Sequence, residues 1–510
     1  MFMLSHFVKK SFIGCLFHDR ILNHLGLDLI TYNEKYDSYD QLIQEEWDNE
    51  DNLDNPHNWP VYLKTIFSLE IGFLSLSVYI GLAIYTPGID QIMKDFAISE
   101  EVALLPMVLF VIAYGIGPLF LSPITEHYKI GRNPVYIITL FLFAILQLPT
   151  AIAKNIASLC ILRFLSGIFA SPVLATGAAS VCDIIAVPYM PVVIGIWAIC
   201  SLCGPSLGPL IGAVLSTKRD WRFCFWFLLI LSGASFVILS LFLPETYPPK
   251  LKYERAKLLR KLTGNDDIRT SDEMKNQIDK GFLREYLWRP IELTLVEPVV
   301  FLINVYSALI YSVLYLWFEA FPIVYKEVFG FSTIIEGLCF LSILAGVIIG
   351  SFVYVTFIYL AFTKKLLRNQ QIYPEVFLPM AIVGAICLPM GIFIFSWCAT
   401  PHAHWFGTLV GACLAGMANF VIFQTLLNYL GMSFPRYSAS AFASNCLWRS
   451  VVAGVAPLFA KPLYRNLALR DYPVGWGSSV LGFIATAMIL IPVVFYWKGP
   501  QLRALSKFAS

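Results

Sequence analysis

The chain is built from a succession of apolar blocks about 20 residues long, and this feature limits its fold more than any other. Twenty helical residues rise about 30 Å, the thickness of a bilayer's hydrocarbon core. The composition agrees. Of 510 residues, 58% are hydrophobic, 15% aromatic and only 14% charged, against about a quarter charged in soluble globules. The expected fold class is an all-α membrane protein with about twelve transmembrane helices. The blocks fall near 63–85, 102–124, 134–153, 156–180, 192–215 and 223–243, then near 298–318, 337–362, 376–397, 405–430, 439–463 and 480–497. The net charge of +2 gives no sign of a nucleic-acid partner.

A basic loop divides the blocks into two halves of six. The expected organisation is an N-terminal cytoplasmic segment 1–61, a first half 62–243, a cytoplasmic central loop 244–292, a second half 293–497 and a cytoplasmic tail 498–510. Lys and Arg in the connecting loops favour both termini inside, although the loops 218–222 and 461–470 run against that bias. Residues 1–29 show no clean signal-peptide core; an interfacial helix and a tail are both compatible with them. Two parallel halves suggest a transporter with its site near the bilayer midplane. There is no phosphate-binding G-x-x-x-x-G-K-[ST] loop to couple transport to ATP and no catalytic constellation, so the chain is not expected to be an enzyme. No cofactor or metal is expected. His402 and His404 read as surface residues. Cys200 and Cys203 form a C-x-x-C inside an apolar block with no second pair, which reads as packing rather than redox or zinc chemistry.

The fifth block contains "GPSLGPLIG" at 204–212. Gly204, Gly208 and Gly212 recur every fourth residue and line one helix face, where small residues let another helix come into backbone contact. Pro205 and Pro209 repeat at the same interval, each removing a helix hydrogen bond. Gly346 and Gly350 form a second G-x-x-x-G. With Gly195 eight residues before Gly204, the pattern resembles the fifth-helix antiporter motif of proton-coupled drug antiporters of the major facilitator superfamily. Ala213 stands where many members have a last Gly.

That resemblance runs from Asn55 onward through "NPHNWP", "YTPGI", "ILRFLSG", "DWRFCFW", "LPET", "YLWFEAFPIVY", "SNCLWRS" and "YPVGWGSSVLGF". It is strongest to yeast multidrug transporters of the fluconazole and benomyl resistance type. It implies a proton-driven plasma-membrane exporter of varied small amphipathic compounds working by alternating access. The bilayer, protons and drugs or metabolites would be its partners, and a monomer is expected. A nutrient or polyamine carrier of the same fold is the alternative.

The loop after the second block departs from the superfamily pattern. Glu126 supplies the acid, followed late by Gly131 and Arg132, and these three are candidates for a cytoplasmic latch. Proton coupling points to Arg163, a charge inside the fourth block that needs an interior partner, and to Glu70, an acid in the first block that is either a proton carrier or an inert interfacial residue. Glu319 in "FEAFP" reads as a gate or an anchor. Candidate pocket residues are Tyr306, Tyr311, Tyr315 and Phe318 in the seventh block, Phe420, Phe423 and Gln424 in the tenth, and Asn445 and Arg449 one turn apart in the eleventh. Such aromatic area binds cations and flat rings with little selectivity.

Overall fold

The computed structural model describes residues 55–265, 267–276, 288–504 and 506–508, together with Trp47 and Asn52. The segment 1–29 lies outside them. The six elements of the first half are the helices Val61–Ala83, Glu100–Thr125, Asn133–Ala151, Ile156–Ala170 continued by Pro172–Cys182, Met190–Lys218 and Arg222–Phe242. The second half contains Pro298–Phe321, Leu341–Ile358, Leu378–Cys398, Phe406–Ser433, Ser438–Val455 and Gly475–Met488, the last continued by Leu490–Ala504. Between the halves, the described part of the loop forms helices Pro248–Thr263 and Ser271–Asn276.

Among the described residues, ten helices are long and apolar enough to cross a membrane unaided. The fourth block is an exception because it is broken into two short helices, and the eleventh because Asn445, Arg449 and several serines make its 18-residue helix Ser438–Val455 too polar. The single helix expected over 156–180 is two helices. Pro172 has no N–H to donate to the Ile168 carbonyl, and that carbonyl instead accepts from Ser171 N and Oγ at 3.2 and 2.7 Å. In the eleventh block the helix stops at Val455, and a 3-10 turn carrying Pro457 leads into Ala460–Asn466.

The outer surface is apolar. Ile138, Phe141, Ile145, Leu148 and Ile152 are all exposed and recur every three or four residues, the spacing of one helix face. Phe352, at 75% exposed, does the same for the eighth helix. In water such a surface would cost about 25 cal/mol per Å²; facing lipid it costs nothing of that kind. Helix contacts inside the bundle use small residues instead. A Cβ on Gly346 or Gly350 would collide with the main chain of the tenth helix at Cys413 and Met417, so the second G-x-x-x-G is a helix-docking face. The ten described cysteines are free, and Cys200 packs against Gly72 of the first helix. His402 and His404 are exposed, and His404 Nδ1 accepts from Phe406 N at 3.2 Å.

Candidate functional site

The glycine ladder of Met190–Lys218 lies against the backbone of the first helix. An added Cβ would stand 2.9 Å from Ile80 N at Gly204, 3.1 Å from Ile80 O at Gly208, and inside the Ile84 carbonyl at Gly212. Pro205 and Pro209 are buried within a helix that remains continuous over 29 residues. Its other side reaches the second half. Pro209 O and Leu210 Cα lie 3.3 and 3.0 Å from a Cβ built on Gly337, and a Cβ on Gly195 would touch the Tyr354 ring at 3.0 Å. One helix is therefore packed against its own half at backbone distance and against the other half at both ends.

Arg163 is fully buried. Its Nη2 donates to the Gly81 carbonyl at 2.6 Å. That carbonyl belongs to the last turn of the first helix, where four acceptors lack intrahelical partners and the helix dipole is negative. The guanidinium also lies over the Phe110 ring at 4.0 Å and near Tyr85 at 5.5 Å. Its Nε and Nη1 have no hydrogen-bond partner. Glu70 sits on the same first helix about 16 Å before Gly81 at 1.5 Å per residue, so the fold does not bring Glu70 to Arg163. The half-buried Glu70 keeps one buried carboxylate oxygen without a partner.

Midway between the halves, Arg449 is buried with its guanidinium 4.2 Å from the Tyr311 ring centroid and 4.7 Å from that of Phe423. Tyr311 and Phe423 meet edge to face at 5.4 Å. The first half contributes Tyr79 and Tyr114, themselves in edge contact at 5.5 Å and within electrostatic range of Arg449. Neither tyrosine stood out in the sequence. Beneath them Asn445 donates to Asn304 Oδ1 at 3.1 Å and Ser307 Oγ at 3.0 Å. Asn304 extends that network to Thr294 and Ser444. Tyr315 stacks edgewise on Phe318 at 5.7 Å. Phe420 meets Tyr354 at 5.9 Å, and Gln424 Nε2 donates across the halves to Ile194 O at 3.1 Å. Tyr306 is fully buried. The hydroxyls of Tyr114 and Tyr306, Trp317 Nε1 and Arg449 Nε are buried without hydrogen-bond partners among the described residues.

At the end of the bundle where the second and third helices join, Arg132 is buried and pairs with Asp183 at 3.2 Å. It also lies 5.3 Å from the Tyr247 ring. Glu245, from "LPET", accepts from the backbone N–H groups of Arg132 at 3.1 Å and Asn133 at 3.4 Å. This carboxylate therefore meets the first free donors of the third helix. Gly131 adopts a positive φ of 76°, and a Cβ there would overlap the Glu245 and Lys250 side chains. Glu126 joins through its backbone, with its carbonyl accepting from Tyr247 Oη at 2.8 Å. Burial pushes its carboxyl up, with Arg132 opposing. The pair partner of Arg132 is thus Asp183, and Glu245 is a member that the sequence did not single out.

Two helical halves, meeting through a buried charged and aromatic cluster and touching again at both ends, define a membrane transporter of the two-half type. The sequence model of the Major Facilitator Superfamily matches residues 71–457, and the chain belongs to that family. It is 51% identical over 470 residues to the cycloheximide resistance protein of Candida maltosa, covering 91% of this chain and 85% of that one. It is 38% identical over 465 residues to fluconazole resistance protein 1 of Saccharomyces cerevisiae, covering 91% and 84%. The solved proton:xylose symporter XylE shares its fold, with a TM-score of 0.59 and 16% identity over 86% of this chain and 96% of that one.

Proposed function

We propose that this protein is a proton-coupled antiporter that exports varied toxic compounds, azole-like and benomyl-like antifungals among them, across the plasma membrane. Both termini are cytoplasmic in this reading, which places the Arg132–Asp183 end inside and the Lys461 end outside. The observation that carries it is the cluster around Arg449, where two aromatic faces of the second half lie 4.2 and 4.7 Å from one cation and Tyr79 and Tyr114 of the first half come within electrostatic range of it. Such a site binds by area and ring electrostatics and accepts ligands of many shapes. Cycloheximide and fluconazole resistance in the relatives gives the class of guest.

The energetics are adequate. One charge crossing about 100 mV is worth about 2.3 kcal/mol. A pH difference of about two units adds about 2.7 kcal/mol. Together, about 5 kcal/mol supports a gradient of a few thousand-fold for a neutral drug. Arg163 would act in coupling by shifting the pKa of a nearby acid, since guanidinium does not release its own proton. The test is efflux of a labelled azole from preloaded cells lacking their own pumps, with and without a protonophore. Export that requires this protein and stops with the protonophore supports antiport. Absence of export by protein shown to reach the surface supports the nutrient or polyamine carrier instead.

A further inference from the structure

At the Lys461 end, a cavity of about 230 Å³ opens between the halves. The first half lines it with Asp90 and Glu100. The second contributes Glu319, Lys326, Glu327, Glu336, Lys461 and Arg465. Every cation here is committed to another acid: Lys326 to Glu336 at 3.1 Å, Arg465 to Glu327 at 2.6 Å, and Lys461 across the halves to Glu100 at 2.7 Å. Asp90 is exposed to solvent. Glu319 is the remaining acid. It is partly buried and, among the described residues, has no cation partner, and it lines the same cavity as Glu100 of the opposite half, close enough for the two carboxyls to interact.

Two ionised carboxylates are acceptors only and repel at such a distance; the contact holds when one carries a proton and donates it. Lys461 pairs with Glu100 at 2.7 Å while Glu319 has no cation beside it, so Glu319 is the member of the pair that the proton suits. Resting on the antiport reading above, we propose that the outer gate closes by taking up one external proton on Glu319, shared with Glu100 of the other half. The proton adds to a Glu319 carboxylate oxygen from the outer water, and the resulting O–H donates to Glu100. Tyr315 and Tyr311 follow Glu319 at intervals of four on the same helix face, leading from the gate to the cluster at Arg449. Loss of the proton inward leaves facing carboxylates that press the gate open again. Protonation of one acid is thereby tied to the relative position of the two halves.

The test uses the purified full chain in liposomes with a labelled azole, measuring uphill accumulation under an imposed pH gradient and downhill drug flux without one. In Glu319→Gln the amide donates to Glu100 without needing a proton. The variant should keep downhill flux and lose uphill accumulation and its external-pH dependence. Glu100→Gln removes the repelling charge and should uncouple in the same way; it serves as the second variant if the first does not fold. Uphill accumulation at the wild-type level in either folded variant overturns the proposal. Loss of downhill flux in variants that still bind the azole does so too, because it makes the pair a structural contact. Wild-type protein that moves drug downhill but never uphill refutes the antiport reading itself, whatever the variants do.

Discussion

Replacing Gly212 with Ala adds one methyl group where the fold has no room for it. The new carbon would sit inside the Ile84 carbonyl, 2.8 Å from its carbon atom and 3.3 Å from Pro87 Cδ. The carbonyl is main chain and cannot swing aside as the end of a long side chain does. Ordinary contact between carbons is about 3.5–4.0 Å, so the first and fifth helices must part or bend. Overpacking of this kind costs about 1–3 kcal/mol. If it weighs against the conformer in which the helices touch, export slows by about 5- to 150-fold. Gly208→Ala meets Ile80 O at 3.1 Å and Ile84 N at 3.2 Å, a strain relieved by a shift of a few tenths of an ångström, and about a fivefold loss or less follows. Gly208→Val adds two further methyls and joins the severe class. Initial efflux rates, normalised to surface protein, test this order. Wild-type export by Gly212→Ala, or equal losses for the two alanine variants, would refute the account of the ladder.

Other outcomes follow from the remaining contacts. Arg163→Ala should abolish proton-coupled export, and normal transport with a normal pH profile in efflux assays would remove its assigned role. Phe423→Leu takes one aromatic face from Arg449; a cation–π contact worth about 1–2 kcal/mol predicts a rise of about 5- to 30-fold in the apparent KM for a flat aromatic drug, with surface abundance unchanged. At the opposite end, burial pushes the Asp183 carboxyl up to about 7, with Arg132 opposing. An acid with a raised pKa contributes stability below its unfolded value, and this is lost as pH rises through the folded one. Thermal unfolding of purified protein should therefore show Asp183→Asn gaining on the wild type from about pH 4 to about pH 7 and no further above that; a constant difference across the range would contradict the assignment.

Much of the architecture was legible in the sequence because it rests on local pattern. Block length sets the helices, and the interval of four in Gly204, Gly208 and Gly212 announces a face that accepts another backbone. Arg163 was legible as a buried charge because a cation in an apolar block must find a partner. Its partner was not legible. It is a carbonyl freed by the end of the first helix, 82 residues earlier, and no residue type marks a free carbonyl. The interruption at Ser171 hides behind an apolar run that hydropathy reads as continuous. Arg132 illustrates the same limit. Its nearest acid in sequence, Glu126, contributes a backbone carbonyl to the cluster, while the ion pair goes to Asp183, 51 positions away. The cap comes from Glu245, 113 positions away. Pairings that cross the bundle depend on which helices become neighbours, and nothing in the local composition records that. Tyr79 and Tyr114 read as ordinary span aromatics until the second half places Arg449 against them.

The central claim is exchange of drug for proton through one protein. The most direct measurement loads liposomes containing the purified protein with an azole, imposes no pH gradient, dilutes them into drug-free buffer and follows interior pH with a trapped dye. Antiport predicts that drug leaving downhill draws protons inward, so the interior acidifies at a rate that tracks drug exit. Drug exit with no change in interior pH, or with alkalinisation, would contradict it.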